Sequence, residues 1–179
     1  MKKVLLLLVV MLFIVSCGST PETQPVIDTE PSDEPTTDWK DIPLADVQTG
    51  ETYSISDFSG KPVLIESFAV WCPLCTRQQH SIKQLHDDVG DAVISVSLNT
   101  DPNEDSDLVK NHAKSNGFDW KYSISPVKLT RALIDEFGSS VVNAPSVPVI
   151  LVCPDQSSRL LARGVKSADE LKTQIGLGC

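Results

Sequence analysis

From residue 41 onward the apolar positions follow two rhythms, and the rhythm changes at glycines and prolines. Residues 41–58 (DIPLADVQTGETYSISDF) alternate loosely about Thr49-Gly50, which predicts a short hairpin turned at that pair. Residues 63–69 are nearly continuous apolar sequence, the pattern of a central strand buried on both faces, with Glu66 standing inside it. The period then lengthens. Ile82, Leu85 and Val89 share one helical face, and Gly90 ends that helix. Residues 92–98 predict a second buried strand. Asp105 or Ser106 caps a helix running to about Asn116, with Gly117 as its stop. Residues 120–124 read as a short extended segment. A helix over 128–137 places Leu129, Leu133, Ile134 and Phe137 on one side and ends at Gly138. Residues 147–152 read as a strand containing Pro148, residues 159–163 as an edge strand, and Ser167 as the cap of a last helix bearing Leu171 and Ile175. Strands alternating with helices, closed by a hairpin and a helix, predict an α/β domain with a mixed sheet.

The first 37 residues follow neither rhythm. Lys2 and Lys3 precede an unbroken apolar run over 4–15. A permanent bilayer span needs about 20 residues, so this run suits an export signal better. It ends Ile14-Val15-Ser16-Cys17, which resembles the lipobox of secreted lipoproteins. That resemblance implies removal of residues 1–16 as a signal peptide and a diacylglycerol thioether on Cys17. Residues 18–37 hold four prolines and five acids, no lysine or arginine, and only Val26 and Ile27 as large aliphatics. Such a segment buries too little apolar surface to offset its ordering entropy. Residues 17–37 are therefore expected to form a lipid-anchored, disordered tether, and residues 38–179 a single domain.

The chain carries a net charge of −9. Loss of Lys2 and Lys3 with the signal would take it to −11. No basic run and no interleaving of basic with aromatic residues occurs, which argues against nucleic acid and against adhesion to anionic lipid headgroups.

Chemistry concentrates in FAVWCPLCTRQ, residues 68–78. A helix starting at Cys72 would set that sulfur against unpaired N–H groups and the positive dipole end, which favour a thiolate. Pro73 suits the first turn, which needs no N–H from that position. Cys75, one turn on, is within disulfide reach and more shielded, while Trp71 would cover the pair and leave the Cys72 sulfur accessible. Other uses of the pair fit less well. A c-type haem needs histidine after the second cysteine, where Thr76 stands. His80 and His86 run along the same helix and do not converge with the cysteines as zinc ligands would. A copper chaperone of this class would space its cysteines by three residues, and a peroxiredoxin would have threonine at the position of Ala69. A purely structural short-loop disulfide would add little loop entropy. His80, His86 and His112 read as exposed helix residues, and residues 101–105 as a capped loop without the glycine and glutamate of a calcium loop.

Trp71-Cys72-Pro73-Leu74-Cys75, the strand before them and Ser146-Val147-Pro148-Val149 together resemble the thioredoxin superfamily, in its TlpA-like, redoxin-type, membrane-anchored branch of thiol–disulfide oxidoreductases. The resemblance covers residues 44–177. It implies a thioredoxin fold: a central mixed sheet flanked by helices, here with an N-terminal hairpin extension. Cys72 would attack the substrate and Cys75 resolve. Val147–Pro148 would be a cis peptide facing the cysteines, its Val147 backbone pairing with substrate beside Trp71 and Pro73. Glu66, six residues before Cys72, matches the buried acid that relays the resolving thiol's proton; a strand-edge glutamate facing solvent is the bland alternative. In that fold Cys153 and Cys179 come together, so they are expected to form a structural disulfide, the alternative being a buried free Cys153 and a frayed terminal Cys179. The expected partners are exported protein thiols and disulfides and an envelope redox donor, with the protein a monomer and no metal or cofactor required. Pro73 follows the first cysteine, where many relatives place proline before the second, and this leaves the direction of electron flow open. TlpA-like proteins are usually reductants. The competing class is a non-catalytic chaperone for thiols, copper or apo-cytochrome.

Overall fold

The computed structural model describes residues 38–179. The expected signal peptide, the expected lipidation site Cys17 and the expected tether lie outside the described residues. Strands β1 (Leu44–Ala45) and β2 (Thr52–Tyr53) form a two-stranded antiparallel hairpin. A five-stranded sheet follows in the order β5-β4-β3-β6-β7. Its members are β3 (Val63–Phe68), β4 (Ile94–Asn99), β5 (Lys121–Ile124), β6 (Val149–Val152) and β7 (Ser158–Leu160). β3, β4 and β5 run parallel, β6 is antiparallel to β3, and β7 is antiparallel to β6. This mixed sheet, flanked by helices, is a thioredoxin fold.

Four helices cover the sheet: α1 (Pro73–Val89), α2 (Ser106–Asn116), α3 (Val127–Phe137) and α4 (Ala168–Leu177). Their ends sit where the sequence sets them. The Asp105 side chain accepts from the Leu108 N–H, Ser167 and Glu170 form a reciprocal capping box, and Gly117 adopts a left-handed φ of 68° at the end of α2.

The central strand decides the layering. All six residues of β3 are buried, so its two sides feed two separate clusters. Leu64 and Phe68 pack with Ile82 and Leu85 of α1, Val109 of α2 and Leu171 of α4. Val63 and Ile65 pack on the other side with Leu129 and Leu133 of α3. Because side chains alternate along a strand, Glu66 projects into the α1 side, between Leu64 and Phe68.

Two sequence expectations fail around β6. The strand begins at Val149, and the Val147–Pro148 peptide is trans, like every other peptide among the described residues. Val147 caps the short 3-10 turn Ala144–Ser146 in a left-handed conformation (φ 51°, ψ 58°). Its N–H donates to the Ala144 carbonyl at 2.9 Å and its carbonyl accepts from Lys166 Nζ at 2.7 Å, so both groups are committed to the turn. Trans is also the isomer ordinarily preferred before proline, by about 0.5–1 kcal/mol. Further on, Cys153 and Cys179 are joined by a disulfide with a Cα–Cα separation of 6.0 Å. β7 is shorter than expected, ending at Leu160, and Arg159 grips the end of α4 through Gln174 and the Gly178 carbonyl.

Candidate active site

The carboxyl end of β3 delivers the chain into the N-terminus of α1, and Cys72 occupies the cap position. Its backbone is extended (φ −88°, ψ 107°), and its sulfur accepts from the Cys75 N–H at 3.3 Å. Pro73 fills the first helical position, where no N–H is needed. Cys75 lies one turn in and its thiol donates to the Ala144 carbonyl at 3.2 Å. Both cysteines are free thiols.

The expected accessible Cys72 is not what the structure holds. Cys72 is 1% exposed and Cys75 0%, whereas Trp71 is 60% exposed. The Trp71 indole turns outward and donates to Asp101 at 2.6 Å, while Ala144 joins the apolar cluster that contains both cysteines. The loop after β4 braces the motif from a second side. The Val70 N–H donates to both oxygens of Glu104 at 3.0 and 2.9 Å, and Glu104 also accepts from Asn99. Residues 101–105 thus do more than cap α2: they hold the turn leading into Cys72. An open cleft of about 380 Å³ runs beside the motif, lined by Trp71, Asp101, Asn143, Ala144 and Pro145 among others.

Glu66 is fully buried, not a strand-edge residue facing solvent. Burial pushes its carboxyl up to about 8, opposed by Gln79, Ser97 and the positive charge of Lys166. Ser97 Oγ donates to Oε2 at 3.2 Å and itself accepts from the Trp120 indole at 2.9 Å. Glu66 Oε1 and the Gln79 amide nitrogen are both buried without a hydrogen-bond partner. Burial foremost, then the Cys72 sulfur and the Glu66 charge, pushes the Cys75 thiol far above its ordinary range. Cys75 therefore ionises only if something takes its proton, and Glu66 is the carboxylate whose charge it feels.

Of the residues singled out from sequence, Cys72, Cys75 and Glu66 gather at the junction of β3 and α1. Trp71 and Pro73 are exposed at its rim. Val147 and Pro148 are buried, and the segment bonded to Cys75 is the turn before them, at Ala144. Two of the histidines are not simple surface residues. His86 Nε2 pairs with Ser95 Oγ at 2.9 Å, and half-buried His112 pairs with Gln79 Oε1 at 2.7 Å and stacks on Phe68. Among the described residues no three His, Cys, Asp or Glu side chains converge as metal ligands.

Sequence reasoning missed Gln78, Gln79 and Lys166. Gln78 and Gln79 sit in the polar run TRQQHS yet are both fully buried on α1. Gln78 clasps the Lys166 backbone from both sides: its amide donates to the Lys166 carbonyl at 3.1 Å and its oxygen accepts the Lys166 N–H at 2.7 Å. Two adjacent glutamines on a helix whose apolar face is otherwise thin were the available signal.

A family model described as Redoxin matches residues 30–150. No curated protein matches the sequence. Among solved structures, a thiol:disulfide interchange protein of the thioredoxin family from Chlorobium tepidum is similar at a TM-score of 0.62 and 19% identity, over 76% of this chain and 92% of that one. A secreted Mycobacterium tuberculosis disulfide oxidoreductase homologous to E. coli DsbE is similar at 0.58 and 17%, over 78% and 97%. The exposed lipoprotein thioredoxin of Streptococcus pneumoniae is similar at 0.58 and 19%, over 76% and 98%.

Proposed function

The chain belongs to the Redoxin family and is a thioredoxin-like oxidoreductase, and from there we propose that it exchanges disulfides with exported proteins outside the cytoplasm, acting as a reductant on a lipid tether at Cys17. The observation that carries the chemistry is the Cys72–Cys75 pair, two free thiols one helical turn apart with a buried carboxylate beside the inner one. The extracytoplasmic setting is supported by the apolar N-terminal run and the Ile14–Cys17 pattern. It is supported also by the likeness to a secreted oxidoreductase and an exposed lipoprotein. Protein thiols and disulfides as substrates follow from the same likenesses.

Cys72 acts first, because it caps the helix and its sulfur receives the Cys75 N–H. As the thiolate, its proton already released to solvent, it attacks a substrate disulfide, forming a mixed disulfide and releasing one substrate thiolate. Cys75 then gives its proton to the Glu66 carboxylate and attacks the Cys72 sulfur. The Cys72–Cys75 bond forms, the Cys72–substrate bond breaks, and the second substrate sulfur leaves as thiolate. The substrate gains two electrons and the pair loses them. An envelope redox donor must then return the pair to the dithiol. Trp71, Pro73 and the cleft beside them present the surface on which substrate docks, with Asn143, Ala144 and Pro145 opposite.

Trapping tests this directly. In Cys75→Ser the mixed disulfide cannot be resolved, so the variant should accumulate covalent complexes with envelope proteins that reductant releases. Cys72→Ser should trap few or none. Equal trapping by both variants, or none by either, would sink the assignment.

A further inference from the structure

We propose that Lys166 is a positioning residue for the resolving step, anchored by Gln78 of the cysteine helix so that its ammonium holds the Val147 carbonyl and supplies the positive charge acting on Glu66. The inference rests on the reading of Glu66 as acceptor of the Cys75 proton.

Lysine is among the residues least often buried unless paired, yet Lys166 is 7% exposed. Its placement is over-determined. Gln78 fixes its backbone through two hydrogen bonds, and its Nζ donates to the Val147 carbonyl at 2.7 Å and the Gly164 carbonyl at 2.6 Å. A leucine or methionine could fill the same volume without bringing an ammonium out of water. What the lysine adds is charge and donors beside Glu66: Val147, whose carbonyl it holds, lies two residues before Val149, the β6 residue paired with Glu66 of β3.

The charged and titratable groups around this point come from several elements. Glu66 acts on Lys166 from β3 and Glu170 from α4, while Cys75 of α1 and Tyr122 of β5 feel the Glu66 charge. Burial holds the ammonium down to about 8, and Glu66 and Glu170 oppose that. The effect on chemistry follows from the direction of the proton. Glu66 can accept from Cys75 only as a carboxylate, and an adjacent cation favours the carboxylate. Without that cation Glu66 would keep its own proton to higher pH. The ionised fraction of Glu66 at neutral pH, already small for a carboxyl at about 8, would then fall further, although neither thiol had been touched.

The experiment follows resolution by rapid mixing, from a preformed Cys72 mixed disulfide with a model thiol, across pH 6–10. Wild type should show a rate limb that rises and inflects near pH 8, and Glu66→Gln should lose that limb, leaving only a slower rate that climbs with hydroxide. Lys166→Met should displace the limb upward by about one pH unit, a loss of ~10-fold at pH 7. Lys166→Arg, which keeps the charge, should stay near the wild-type limb. A limb retained in Glu66→Gln overturns the role of Glu66 itself. A limb lost in Glu66→Gln but unmoved in Lys166→Met overturns only the inference about Lys166, as does Lys166→Arg shifting as far as Lys166→Met. A second measurement needs no variant at this lysine. In the unmodified reduced protein the Lys166 ¹⁵Nζ resonance should titrate near pH 8, and Glu66→Gln should move that titration to lower pH, because the Glu66 charge is one of the influences raising it. An Nζ signal indifferent to Glu66 refutes the proposal even if Lys166→Met fails to fold.

Discussion

Replacing Glu66 by glutamine should stabilise the protein, and by an amount that depends on pH in a defined way. The substitution is nearly isosteric, and the new amide oxygen can still accept from Ser97 Oγ. It removes only the ability to ionise. In the native state burial raises the carboxyl from its ordinary 4.5 to about 8, whereas in the unfolded chain it titrates near the ordinary value. Between about pH 4.5 and 8 the native protein therefore holds a proton that the unfolded chain has released. Native stability falls as pH rises wherever the unfolded state binds fewer protons. A displacement of about 3.5 units at 1.36 kcal/mol each gives on the order of 4–5 kcal/mol, lost progressively across that window and complete above about pH 8. Glutamine has no such loss. The attraction of Lys166 is already contained in the position of the carboxyl, since it is one of the influences holding it down. Urea denaturation of the reduced protein and the variant, at half-unit steps from pH 4.5 to 9, is the assay. The two should coincide near pH 4.5 and diverge by several kcal/mol at pH 8.5. Titrations of the other carboxylates are shared by both proteins and cancel in the difference. A gap of the same size at pH 5 and pH 8.5 would show that Glu66 is not held protonated by burial, and the reasoning about its place in the mechanism would fall with it.

Two further outcomes are expected. Cys179→Ser should lower stability by roughly 3–4 kcal/mol under oxidising conditions, because the Cys153–Cys179 bond closes a loop across a sequence separation of 26. An unchanged urea midpoint would count against that bond being formed in solution. Cys17→Ser should release soluble protein from membranes or leave uncleaved precursor, read by fractionation and N-terminal mass, and membrane association identical to wild type would remove the lipid anchor from the account.

The sheet and its helices were legible because their signals are local and redundant. β3 reads as apolar on both faces, and Gly90, Gly117 and Gly138 close three helices at the residues where the periodicity stops. The placement of the cysteine pair was legible too, since a cap residue, a proline and a second cysteine one turn on mark the start of a helix. What escaped is polar and long-range. Gln78 and Lys166 are 88 residues apart, and only the packing of the loop before α4 against α1 joins them. Lys166 in the run ARGVKSADE looks like any solvated loop lysine. Glu104 looks like one acid among several in an exposed turn, until the fold brings it to the Val70 N–H. Val147 failed for another reason. A β-branched residue before proline predicts extended backbone, and here the turn from Ala144 and the Lys166 donor override that local preference.

The position of Cys153 has a practical side. β6 enters the sheet at Val149, beside the cysteine motif, and runs away from it, so Cys153 lies past the far end of the strand. The four domain cysteines thus sort themselves by geography. Cys72 finds Cys75 within its own first turn, while Cys179 arrives on the last residue of the chain, at the opposite margin of the sheet. Recombinant protein made in a reducing cytosol would keep the free Cys72 and Cys75 thiols and lack the Cys153–Cys179 clasp. Two batches of equal activity could then differ in how long they survive, and counting free thiols before any melting curve would tell them apart.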